Sequence, residues 1–79
     1  MEQRKQWWNG RWGRIARRDL YLREDAGVWL VEDRLGGADG RSQFYEHHDE
    51  DAALERVRVL MAASDGWQEV GASRRSVVE

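Results

Sequence analysis

Residues 17–24, Arg-Arg-Asp-Leu-Tyr-Leu-Arg-Glu, alternate polar and apolar side chains, the two-residue period of a half-buried β-strand. Asp25-Ala26-Gly27 then supplies a short turn, and Val28-Trp29-Leu30-Val31-Glu32 forms a second strand rich in β-formers. Gly36-Gly37-Ala38-Asp39-Gly40 can reverse the chain again, with Asp39-Gly40 suited to positive φ. Residues 41–47, Arg-Ser-Gln-Phe-Tyr-Glu-His, make a weaker third strand. Because every link is short, an antiparallel meander is the economical arrangement. The period then changes. Ala53, Leu54, Val57, Leu60 and Met61 recur at three- and four-residue steps, the single apolar stripe of an amphipathic helix. Asp49 is placed to cap it, and Glu50 and Asp51 suit its positive first turn. Ser64-Asp65-Gly66 is expected to end it, with Gly66 in the left-handed position and Trp67 folding back.

The pattern therefore predicts an α+β fold: a small antiparallel sheet of three to four strands, ordered β-β-β-α, with one helix on one face. Residues 17–70 form the domain and residues 71–79 a flexible tail. Residues 1–16 form a Trp/Arg-rich arm or an extra strand around Gly13–Ala16. With a three-residue first turn, Leu20, Leu22, Val28 or Leu30, and Phe44 line the helix side. Tyr21, Trp29, Val31 and Tyr45 then line the other. One helix covers one face only, so the second aromatic face needs an explanation. The arm's Trp7, Trp8 and Trp12 could fold across it, a second copy could cover it, or single-stranded nucleic acid could stack on it.

Charge sharpens that question. Residues 1–18 carry six Lys/Arg against one Glu, whereas residues 19–79 carry seven Arg against fourteen acids. Arg11, Arg14, Arg17 and Arg18, beside stacking tryptophans, could neutralise phosphates. Yet the chain is net −2 with a pI near 5.7, unlike a dedicated nucleic-acid binder. Pairing of the basic arm with the acidic remainder, or with another subunit, is favoured. Twelve arginines against one lysine fit a GC-rich bacterial genome.

Candidate chemistry is sparse. There is no cysteine, so no thiolate nucleophile, zinc-thiolate site or disulfide framework. His47 and His48 are adjacent on a strand and point to opposite faces, so they cannot share an ion without a bend. The Gly36–Gly40 loop feeds a strand rather than a helix N-terminus, which argues against a phosphate cradle. Ser42, Ser64, Ser73 and Ser76 have no identifiable His/Asp partners. No catalytic residue, cofactor or metal is expected. Lacking an apolar span or a secretory leader, the chain is expected to be cytoplasmic, with no membrane partner.

From about Leu20 to Trp67 the chain resembles the WGR domain. The hairpin Val31-Glu32-Asp33-Arg34-Leu35-Gly36-Gly37, Phe44 on the next strand, Ala53 and Leu54 on the helix and the closing Gly66-Trp67 carry the likeness. Only Arg34 with Gly36 or Gly37 matches at the signature hairpin, whose tryptophan is missing. The literal Trp12-Gly13-Arg14 lies before the first strand. WGR domains occur in DNA-damage-responsive poly(ADP-ribose) polymerases and bacterial proteins, and the resemblance implies a DNA-contacting or interaction module rather than a catalyst.

The expected function is a non-enzymatic protein-interaction module, a homodimer or a subunit of a small bacterial complex. Trp7, Trp8, Trp12, Tyr21, Trp29 and Tyr45 would form its contact surface. The alternative is DNA or RNA binding through Arg11, Arg14, Arg17 and Arg18.

Overall fold

The computed structural model describes residues 2–37 and 40–70. Five strands and one helix follow one another as β1 (Glu2–Trp8), β2 (Arg18–Asp25), β3 (Val28–Leu35), β4 (Arg41–His47), α1 (Glu50–Met61) and β5 (Gln68–Val70). They form one antiparallel sheet in the order β4-β3-β2-β1-β5. The fold is α+β as expected, with five strands rather than three to four. The N-terminal segment is itself an inner strand, Glu2–Trp8, and residues around Gly13–Ala16 form a turn instead of the expected strand. The expected tail, residues 71–79, lies outside the described residues.

The face each strand buries depends on one turn. Ala26 and Gly27, at φ +52° and +85°, form a two-residue reversal, so Asp25 pairs with Val28 and Leu22 with Val31. Two positive φ values in succession match the right-handed twist of the flanking strands. A three-residue turn would have aligned Leu22 with Leu30 instead. That single residue flips every side chain of β3 and β4. Trp29, Val31 and Tyr45 therefore join Leu20 and Leu22 on the helix side, while Val28, Leu30 and Phe44 share the other face with Tyr21. The expected assignment is reversed for both strands.

Leu20, Leu22, Val31, Ala53 and Val57 are buried between sheet and helix, ringed by Trp7, Trp29, Tyr45, Leu54, Leu60, Met61 and Trp67. Burying each large aliphatic side chain contributes about 1.5–3 kcal/mol. Asp49 caps the helix, its Oδ1 accepting from the Ala52 N–H at 2.7 Å. The other end closes differently from expectation. Ala62 follows the last turn in right-handed conformation, and the Trp67 indole N–H donates to the carbonyls of Met61 and Ser64. Gly66, at φ +76°, instead shapes the approach to β5, where a Cβ would sit 3.0 Å from the Asn9 carbonyl oxygen.

Asn9 ties the two long connections together. Its side-chain amide donates to the Ala16 carbonyl and the Ser64 hydroxyl, and its Oδ1 accepts the N–H groups of Arg11 and Arg18. Both amide hydrogens and both oxygen lone pairs are used, which is why a polar group can be 98% buried there.

Ala26 is the only non-glycine residue at positive φ among those described. Asparagine tolerates that region better than alanine. Ala26→Asn is expected to raise Tm by about 2–6 °C through relief of about 0.5–1 kcal/mol. A lower Tm on thermal unfolding would contradict the assigned turn.

Candidate functional site: the open sheet face

Opposite the helix, the sheet carries a lattice of arginines, carboxylates and aromatic rings. Alternation along β2 puts Asp19, Tyr21 and Arg23 on this face, and alternation along β3 adds Glu32 and Arg34. Glu32 is 3% exposed although its face meets water. Arg23 Nη1 donates to its Oε1 at 2.7 Å, Arg34 donates to Oε2 through Nε and Nη2 at 3.0 and 2.8 Å, and Ser42 Oγ donates to Oε2 at 2.6 Å. Burial alone would push the Glu32 carboxyl up, but the bonds from Ser42, Arg23 and Arg34 outweigh it and hold the group below the ordinary carboxylate range.

The same two arginines enclose Tyr21. Their guanidinium carbons lie 4.8 Å (Arg23) and 5.1 Å (Arg34) from its ring centroid. Burial, then the charge of Asp19, raises the phenol above its usual value, so the ring is neutral at physiological pH. A second cluster continues the row. Arg17 donates through Nε to Asp19 Oδ2 at 2.8 Å and lies over both Trp8 and Trp12, 5.2 and 5.1 Å from their rings. The two indoles meet edge to face at 4.8 Å, and the Trp8 indole N–H donates to the Arg11 carbonyl at 2.9 Å. Trp12 is 70% exposed and Phe44 58%, so the lattice ends in open aromatic surface.

Of the six aromatics expected at a contact surface, Trp8, Trp12 and Tyr21 lie together here. Trp7, Trp29 and Tyr45 pack against the core on the helix side. The four arginines expected to meet phosphate separate as well. Arg11 donates to Asp65 Oδ1 at 2.6 Å and holds that exposed carboxyl below its usual range. Arg17 is bound to Asp19, and Arg18 to Asp33 at 2.7 Å. Arg14 forms no ion pair among the described residues. Among those residues no three His, Asp or Glu side chains converge as metal ligands.

Glu32, Arg23, Arg34, Asp19 and Ser42 were missed as site residues. Their signal was the i, i+2 spacing of charge around Tyr21 and along Glu32-Asp33-Arg34, legible once the turn length is known.

Because folding lowers the Glu32 pKa, its ionised form contributes stability in full above the unfolded carboxylate range. That contribution is lost as pH falls through the depressed value. Glu32→Gln is expected to cost about 2 kcal/mol at pH 7, given that Arg23 and Arg34 keep partial access to water. The variant should also flatten the acid limb of stability as pH falls from the unfolded carboxylate range through the depressed Glu32 value. Urea titrations of both proteins across that range check this; parallel curves would contradict it.

Among the described residues no helix is long and apolar enough to cross a membrane. No family model, curated protein or solved structure matches this chain.

Proposed function

We propose that this chain is a non-enzymatic, cytoplasmic protein-interaction module, working with a copy of itself or as a subunit of a small complex. Its contact surface is the open sheet face. The observation that carries this reading is the pre-assembled Trp12-Trp8-Arg17 and Arg23-Tyr21-Arg34 rows, which leave exposed aromatic surface with no element above it among the described residues. Trp, Tyr and Arg dominate the energetics of protein interfaces because they combine large apolar area with directional polar groups. Stacking and ion pairing in the free protein also lower the entropy lost when these side chains are fixed on binding.

Charge argues in the same direction. Each of Arg17, Arg23 and Arg34 already shares a carboxylate on this face, and Arg11 and Arg18 are paired elsewhere. A phosphate backbone would have to break those pairs, whereas a protein surface can dock on a nearly neutral one. The nucleic-acid alternative therefore rests on Arg14 and the exposed Trp12 alone.

A photo-crosslinking residue at Trp12 tests the reading, with one at Arg58 on the outer side of the helix as control. Trp12 and the Arg58 side chain are almost equally exposed, 70% and 68%. In source cells, position 12 is expected to give a discrete protein adduct and position 58 none. Equal yields at both positions, or adducts to nucleic acid, would overturn it.

A further inference from the structure

Beyond the open face, the geometry points to a second surface: we infer that β4 pairs antiparallel with β4 of a second copy, joining two five-stranded sheets across their edges. This rests on the interaction-module reading and names one of its partners. Among the described residues β4 is an edge strand of seven residues whose pairing with β3 runs without a break from Trp29↔His47 to Leu35↔Arg41. Edge strands that avoid pairing usually carry proline, lysine or a bulge. This one has none of these, and its charged side chains, Arg41 and Glu46, lie toward its two ends; the sheet's irregularity falls in β1, between Gln3 and Lys5. The opposite edge, β5, is three residues long as described.

Charge selects both the partner and the direction. β4 begins with Arg41 and ends with Glu46 and His47, and after His48 come Asp49, Glu50 and Asp51 at the helix start. Antiparallel pairing about a two-fold axis at Phe44 sets Arg41 opposite His47 of the second copy, bringing the basic end of each β4 to the acidic segment that starts the other copy's helix. Parallel pairing would set like against like. The helix leaves room for this. Arg56 lies 4.4 Å over the Tyr45 ring, placing α1 above β4. The following segment runs across to Asn9, next to β1, through Ser64. No described element covers the corner of the helix face bearing Leu35, Arg41 and Gln43, and Leu35 there is 44% exposed. In the paired arrangement the second copy's helix N-terminus comes to that corner.

On the open face the same axis places Phe44 against Phe44 of the second copy, and Ser42 against Glu46. A solvent-facing phenylalanine on a bare edge strand is thereby explained: aromatic cross-strand pairs are among the favourable ones in antiparallel sheets. The dimer would carry both lattices on one continuous face, leaving Trp12 of each copy free for a further protein.

The chain has no cysteine, so single cysteines report cleanly. Phe44→Cys is expected to give covalent dimer on mild oxidation, because residues facing each other across the axis have Cβ atoms about 4.5–5.5 Å apart. Ile15→Cys and Val59→Cys, at 96% and 56% exposed, should cross-link far more slowly. Light scattering should give twice the chain mass for the unaltered protein. Arg41→Glu should weaken the dimer at least about tenfold, and adding Glu50→Arg should restore it. A monomer at about 100 μM, meaning association weaker than about −5.5 kcal/mol, would overturn the inference. A dimer whose Phe44→Cys variant cross-links no faster than Ile15→Cys would overturn the edge geometry. Neither result touches the Trp12 cross-linking outcome, which decides the open-face reading separately.

Discussion

A carboxylate buried on the watery side of a sheet constrains everything around it. Glu32 is tolerable at 3% exposure only because Arg23, Arg34 and Ser42 all donate to it. Those bonds fix both guanidinium planes, and the fixed planes enclose Tyr21. The clamp in turn requires β2, β3 and β4 to be in one register, since its donors come from all three strands. A slip of one residue at Ala26-Gly27 would carry Glu32 to the helix side and set a charge into the apolar core. Core packing and the polar lattice thus select the same alignment from opposite faces, the agreement between levels that a well-specified fold needs.

How much of this was legible varies with the range of the interaction. The helix was read from its stripe and its Asp49 cap because both signals lie within a few residues of each other. The meander of β2, β3 and β4 followed from short links and turn residues. β1 was hidden because Glu2-Gln-Arg-Lys-Gln shows no alternation; its place as an inner strand comes from pairing with β2 on one side and β5 on the other. β5 is too short to register as a pattern. The reversed faces of β3 and β4 trace to the length of one turn, which composition left between two and three residues. Asp25 is suited to a turn, yet it pairs with Val28 as a strand residue.

The Trp/Arg-rich start was legible as unusual but not as a structure. Much of its basic charge is absorbed within the chain: Arg4 by Glu24, Arg11 by Asp65, Arg17 by Asp19 and Arg18 by Asp33. The expectation that the arm would pair with the acidic remainder anticipated this, though the partners could not be named without the fold. Its tryptophans divide by strand alternation, Trp7 inward to the core and Trp8 outward, while Trp12 lies in the loop. One short motif therefore contributes to both stability and the proposed contact surface, joined through Asn9 where the loop is anchored.

The open face is organised before any partner arrives. Two-dimensional NMR of the free protein, recorded on the guanidinium Nε–H groups, tests it most directly. Arg17 Nε donates to Asp19 and Arg34 Nε to Glu32, so both protons should appear as dispersed signals exchanging slowly with water at neutral pH. Exposed Arg58, bridged to Glu55 at only 3.4 Å, should give an averaged, rapidly exchanging signal. If Arg17 and Arg34 behave like Arg58, the lattice is not formed in the free chain.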